Sequence, residues 1–280
     1  MRHWIGIRRA HCFSPASVER DEAVFAAVCG RLEKSGYRVT CFNEEDHITI
    51  PLSAEGCFSM ARSEKVLNLL AHYEQDGGRV LNAVEGVRNC RREVWTTLFS
   101  KAGIPQPSTC CLDVDQAADI HIDFELGAYW MKRSDACSQK AADVCLVTNS
   151  DEFRRALQTM KQAGLKKVVM SAHVAGDLVK FYGVSGTSFF YTCYPTLNGE
   201  TGKFGWEKAN GMPRKYTFNR DALQQCCEQA ACLTGLTVYG GDCIVDEKGC
   251  FWLIDWNDWP SFSPCLEAAA EAVAMRLLTK

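Results

Sequence analysis

Asp242, Asp255 and Asn257 are the residues of this 280-residue chain whose types and spacing most clearly admit chemistry. They lie in two runs, Tyr239-Gly-Gly-Asp-Cys-Ile-Val-Asp and Phe251-Trp-Leu-Ile-Asp-Trp-Asn-Asp-Trp-Pro-Ser-Phe. Apolar and polar residues alternate through both, and Asp246-Glu247-Lys248-Gly249 supplies a turn, so the segment is predicted to be a hairpin. Asp255 and Asn257 stand two apart and share a face of one strand. Asp242 can lie across from them on the partner strand. Two carboxylates and an amide oxygen on a rigid surface form a hard-oxygen site, of the kind that holds magnesium on nucleotide phosphates. Charges set among Phe251, Trp252, Ile254 and Trp256 need a cation or a partner.

The elements that must position this hairpin alternate between strand and helix. Trp4-Ile-Gly-Ile, Tyr37 to Phe42 and His47-Ile-Thr-Ile read as strands. Between and after them, helical apolar spacing runs over 23–34 and 63–73. Such alternation predicts a largely parallel, Rossmann-like α/β lobe over residues 1–88. Residues 89–174 form a central lobe: a helix from Glu93 to Ala102 stopped by Gly103-Ile-Pro-Gln-Pro, strands at 109–112, 129–132, 144–147 and 167–170, and a helix over 150–162. Residues 175–280 form a third lobe with a mainly antiparallel sheet, helices over 222–234 and 265–278, and the hairpin. The overall class is α/β with α+β lobes.

Composition excludes several functions. The net charge of −3 gives no general reason to expect nucleic-acid binding. No apolar run approaches a membrane span, and the N-terminal stretch carries charges where a signal peptide would be apolar. A cytoplasmic location is expected. Sixteen cysteines, spread from Cys12 to Cys265 with no C-x-x-C, do not form a metal or disulfide framework and read as small reduced hydrophobes. The tryptophans Trp252, Trp256 and Trp259 read as packing residues beside the hairpin. Ser59-Met-Ala-Arg62 either faces a cleft from the first lobe or is an ordinary helix cap with a surface charge. Nothing like a heptad is present, so a two-fold homodimer is only the commonest default.

Three stretches together resemble the ATP-grasp superfamily: Asn82 to Pro107 with Arg92 before its helix, Trp130-Met-Lys132 through Val169-Met-Ser-Ala-His173 to Lys180, and the Asp242/Asp255/Asn257 hairpin. The resemblance implies an ATP-grasp fold behind a pre-ATP-grasp lobe, with ATP and Mg2+ (Mn2+ as the alternative) as cofactors. It implies that Arg92 and Lys132 lie on the nucleotide phosphates. Val169, Met170, Ser171 and His173 would belong to the hinge whose backbone meets adenine. Lys180 would reach the terminal phosphate, and Asp242, Asp255 and Asn257 would hold the metal. Phosphoryl transfer requires charge neutralisation and alignment, which such cations supply. The loop Arg133 to Ala142 contains no glycine where many members carry a glycine-rich flap, and Ser134, Ser138 and backbone amides stand there instead.

The resemblance implies two activities. The first is a carboxylate–amine ligase acting through an acyl phosphate, as in ribosomal-protein glutamate ligases and glutathione synthetases, which the Gly-Ile-Pro-Gln-Pro helix end resembles. The second is a small-molecule kinase, since Leu178 to Val184 and Ile254 to Phe262 are similar to segments of inositol-trisphosphate kinases. Arg8, Arg9, Lys203, Lys208, Arg214 and Lys215 are the basic residues available for an anionic acceptor. Lys180 and Arg214 are the expected catalytic cations. The ligase is favoured, with a small-molecule or peptide acceptor. The segment 194–214 is expected to form a flap.

Overall fold

Three four-stranded sheets carry the chain, and in chain order they mark a first, second and third lobe. The computed structural model describes residues 2–117, 120, 122–136, 141–195 and 211–279. In the first sheet, β1 (His3–Arg8), β2 (Arg38–Asn43), β3 (Gly56–Ser59) and β4 (Val80–Leu81) lie in the order β2-β1-β3-β4, all parallel. Helices α1 (Val18–Lys34) and α2 (Glu64–Gln75) cover it. Ser63 caps α2 by accepting the Val66 N–H at 3.5 Å. The stretch His47 to Ile50, predicted as a strand, is not one; Ile48 only plugs into the core, and Gly56–Ser59 takes the central place beside β1. All four β3 residues are buried, so the strand lacks the alternation that reveals a half-exposed one.

The second sheet contains β5 (Thr109–Asp113), β6 (Tyr129–Arg133), β7 (Val144–Val147) and β8 (Lys167–Ala172), in the antiparallel order β5-β8-β6-β7. Helix α5 (Ser150–Gln162) buries Phe153, Leu157 and Met160 against it, the stripe that its spacing predicts. Asn149 caps this helix through the Glu152 N–H at 3.0 Å.

The third sheet contains β9 (Asp177–Val184), β10 (Phe190–Cys193), β11 (Val238–Val245) and β12 (Phe251–Asp258), ordered β10-β9-β11-β12 and antiparallel. On one face lie α6 (Arg220–Thr234) and α4 (Arg92–Ala102), the latter ended by Gly103 in the left-handed conformation at φ 71°. Trp256 anchors that face, its ring 5.0 Å from Tyr239 and 5.6 Å from Phe99. Thus α4, adjacent in sequence to the second sheet, packs on the third. The other face meets α7 (Leu266–Leu278), which in turn packs on α1 of the first lobe. Just before the short helix α3 (Val84–Asn89), buried Asn82 accepts the N–H groups of Thr237 and Val238 at 2.9 and 2.7 Å and donates to the Val238 carbonyl at 2.8 Å. First and third lobes are therefore joined by apolar packing and by the Asn82 amide. No helix among the described residues is long and apolar enough to cross a membrane.

Candidate active site

The β11–β12 hairpin turns as its residues predict. Asp246 accepts the Gly249 N–H at 3.0 Å, and Gly249 sits at φ 78°, a conformation that favours glycine. Asp242 pairs directly with Asp255, and Gly240 with Asn257. Asn257 donates from Nδ2 to Asp255 Oδ2 at 2.9 Å, so the same-face placement of these two is realised. Gly241 is required beside them: a Cβ there would lie 2.1 Å from the Asp255 carbonyl oxygen. On the other neighbouring strand, Lys180 pairs in register with Asp242, and its Nζ lies 3.1 Å from Oδ1.

The register slips between Asp242 and Cys243, a bulge that passes over Ile254. Its carbonyl accepts a hydrogen bond from Lys132 Nζ at 2.9 Å. Lys132 reaches across from the end of β6 and is 9% exposed. Burial and the neighbouring Arg92 lower its pKa to about 8, against the pull of Asp255 and Asp242.

Arg92, at the first turn of α4, is buried. Its fork donates to the carbonyls of Arg133 and Ala136 at 2.7 and 3.1 Å and to Asp255 Oδ1 at 3.1 Å. The Glu93 N–H also holds the Ser134 carbonyl at 3.0 Å. The start of α4 thus pins the loop after β6 and braces Asp255. Burial alone would raise the Asp255 carboxyl; Arg92 and Lys132 overrule it and hold the group at about 2. An ionised carboxylate, a second one opposite and an amide two residues on form a donor set that fits a hard divalent cation.

These groups open on a cleft of about 280 Å³ lined by strands of the second and third sheets and by loop and helix residues of the first lobe. Trp130, Val174, Leu178, Ile244 and Leu253 form its apolar part, beside Ser171. Arg92, Lys132, Lys180, Asp242, Asp255 and Asn257 all line the polar part. Ser171 shares a hydrogen bond with Thr109 at 3.0 Å. Val169 and Met170 do not line the cleft. They are buried inside β8, whose backbone pairs with β5 on one side and β6 on the other, which leaves no hinge amides there. The strand runs on to Ala172, so the chain crosses between lobes later than expected. His173 stands behind the lining. Its N–H meets the Ala128 carbonyl at 2.8 Å, and its ring nitrogen Nδ1 lies 3.1 Å from Trp130 Nε1. Burial lowers its pKa. Arg214 is also outside the lining, with its guanidinium on the Tyr216 hydroxyl at 2.9 Å and its N–H on Asp177 at 2.7 Å. Lys203, Lys208, Ser138 and most of the expected flap at 194–214 lie outside the described residues.

Two acidic residues escaped the sequence reading. Asp258 has a fully buried side chain, bonded by Arg9 Nη2 at 3.2 Å and by Arg62 Nη2. Arg9 also pairs with Asp21 at 3.2 Å. Burial opposes ionisation of Asp258, but Arg62 and Arg9 outweigh it and lower the pKa. The sequence signal was available: Asp258 is one residue past Asn257 and points to the opposite face, away from the hairpin's oxygen cluster. Glu44 accepts backbone N–H groups of Ala10 and Arg62, both at 2.7 Å, and that of Ser63. It thereby fixes the two segments that carry Arg9 and Arg62. Arg62 lines the cleft, which decides between the two readings of Ser59 to Arg62. Two other residues that line the cleft carry buried polar atoms, Trp259 Nε1 and Gln106 Oε1, with no hydrogen-bond partner among the described residues.

No family model matches the chain, and no curated protein matches it by sequence. Solved structures do match. D-alanyl-alanine synthetase A of Vibrio cholerae superposes with a TM-score of 0.71 at 11% identity, over 99% of this chain and 97% of the other. D-alanine–D-alanine ligase of Bacillus anthracis, complexed with ATP, gives 0.70 at 13% identity, over 99% and 95%. The ATP-grasp ligase PsnB, complexed with a minimal precursor, gives 0.63 at 14% identity, over 99% and 98%. With three sheets in this order, a cleft walled by the second and third, and near-complete superposition on these ligases, the chain has the ATP-grasp fold.

Proposed function

We propose that this protein is an ATP- and magnesium-dependent carboxylate–amine ligase that activates its carboxylate substrate as an acyl phosphate. The observation that carries the reading is the meeting of Lys132, Lys180 and Arg92 with Asp242, Asp255 and Asn257 in one cleft, from segments as distant as residues 92 and 257. The apolar end beside Ser171 suits a purine, and Lys132 and Lys180 suit the phosphates. Asp242, Asp255 and Asn257 would hold magnesium, which when bound neutralises phosphate charge and aligns the transferred group. Arg92 acts as a positioning residue in this reading, since its two terminal nitrogens already bind Asp255 and two carbonyls.

A kinase for a polyanionic polyol is the second reading. The wall contributed by the first lobe favours the ligase. Arg9 and Arg62 are already bonded to Asp258, and Arg9 to Asp21 as well, so that wall is nearer to neutral than its arginines suggest. Arg8 turns to Glu22 at 2.8 Å. The fold of the ligases named above agrees with this choice.

The test is incubation with ATP, magnesium and pooled amino acids and short peptides, with and without hydroxylamine. A ligase gives ADP and a trapped hydroxamate. ADP formation driven by a polyol, with no hydroxamate from any carboxylate, would replace this reading with the kinase.

A further inference from the structure

Away from the cleft, two thiols of the first lobe touch. Cys41 lies on β2, the outer strand of its sheet, and is exposed. Cys29 lies on α1 and is buried. Their sulfur atoms are 3.8 Å apart. A disulfide bond is about 2 Å long, so the two sulfurs must approach by a further ~2 Å to join. The pair is asymmetric in access: one sulfur faces solvent and the other lies behind it. It is asymmetric in acidity too. The hydrogen bond with Cys29 draws the Cys41 thiol down, with help from Arg8 and against its partial burial and the carboxylates of Glu33 and Glu22. The same hydrogen bond, with burial, pushes Cys29 up. Arg8 is fixed for this role, its guanidinium 4.4 Å from the Phe25 ring centre and bonded to Glu22. An outer thiol biased to the thiolate, with a second thiol within reach behind it, is the arrangement that thiol–disulfide exchange requires.

We propose that Cys41 and Cys29 form a redox-modification site for low-molecular-weight disulfides, with Cys41 as the attacking thiol and Cys29 as the resolving one. The Cys41 thiolate attacks one sulfur of the small disulfide, forms a mixed disulfide and releases one small thiolate, which takes a proton from water. Cys29 then loses its proton to solvent and attacks the Cys41 sulfur, expelling the second small thiolate. The two cysteines are oxidised to a Cys29–Cys41 disulfide, and one small disulfide is reduced to two thiols. The site is independent of the activity proposed for the cleft.

The experiment exposes the fully reduced chain to oxidised glutathione near pH 7, quenches with an alkylating agent, and reads intact mass and peptide maps. In the wild type, Cys29 and Cys41 are recovered cross-linked, without retained glutathione. Cys29→Ser stops at one glutathione on Cys41, and Cys41→Ser leaves Cys29 unmodified. With a second thiol beside it, Cys41 should react faster than the exposed thiols Cys232 and Cys250. Glutathione retained on Cys41 of the wild type, no adduct on Cys41 in Cys29→Ser, or reaction at Cys41 no faster than at Cys250 would each overturn the assignment.

Discussion

Replacing Lys132 with methionine should make the ligand-free protein more stable while abolishing turnover. The lysine lies 9% exposed at the end of β6, and its pKa falls from an ordinary 10.5 to about 8. At about 1.4 kcal/mol per pKa step, keeping it protonated in the folded state costs ~3 kcal/mol. Methionine fills much the same volume without charge, but it leaves the Ile254 carbonyl without the hydrogen bond that Lys132 donates at 2.9 Å. That loss is worth about 1 kcal/mol. The net expectation is a gain of ~2 kcal/mol, or about 3 °C in the thermal midpoint for a chain of this size. Because folding weakens proton binding by the lysine, the penalty is complete below about pH 8 and disappears as pH rises to 10.5. The advantage of Lys132→Met should therefore shrink across that window. Denaturant unfolding with a chelator present, from pH 7 to 10, measures it. With Mg–ATP added the order should reverse, because the wild type gains binding energy that the variant cannot. A variant less stable than the wild type at pH 7 without nucleotide would refute the argument.

Asp255→Asn should cost ~2 kcal/mol at pH 7, since its pKa of about 2 against an ordinary 3.8 means that the fold favours the carboxylate. That contribution is present above about pH 4 and is lost as pH falls through 2, so urea curves of variant and wild type should converge on acidification. ADP formation should fall by at least ~10²-fold, read by a coupled assay. Asp258→Asn leaves Arg9 and Arg62 without their shared carboxylate and should cost about 3 kcal/mol, seen as a lower denaturant midpoint. If the first-lobe wall binds the acceptor, its KM should rise more than that for ATP. Asn82→Leu removes three hydrogen bonds between the first and third lobes and leaves two backbone N–H groups unpaired, for a loss of about 3 kcal/mol by thermal or denaturant unfolding.

What the sequence revealed and concealed follows from the range of the forces involved. The hairpin was legible because strand periodicity is local: Asp255 and Asn257 must share a face whatever surrounds them. The helix from Glu93 and its stop at Gly103 were legible for the same reason. The partner of Arg92 was not, since Asp255 lies 163 residues away and only the packing of α4 on the third sheet brings them together. That packing also changes the arginine's expected role, from gripping phosphate to bracing a carboxylate and a loop. Val169 and Met170 were assigned to the interlobe crossing because nothing local marks where β8 ends. Pairing with β5 and β6 carries the strand on to Ala172. Residues 56–59 concealed a strand buried on both faces, and His47 to Ile50 imitated one.

The cations of the cleft are already committed without ligand: Lys180 to Asp242, Arg92 to Asp255, Lys132 to the Ile254 carbonyl. These bonds hold the side chains in place, yet they also set two ligands in each other's way. Asp242 cannot turn both oxygens to a divalent cation while Lys180 leans on them at 3.1 and 3.5 Å. Lys180 in turn gains little by leaving Asp242 for a phosphate unless another positive charge replaces it there, because an unpaired carboxylate in so apolar a wall is unfavourable. On the proposed reading, metal and triphosphate each supply the partner that the other displaces. Either alone breaks an ion pair without replacing both halves, whereas the two together exchange one pair for two. The site should therefore favour the metal–nucleotide complex over free metal and free nucleotide. That preference comes from the ion pairs among the cleft's own side chains, with no need for a moving lid.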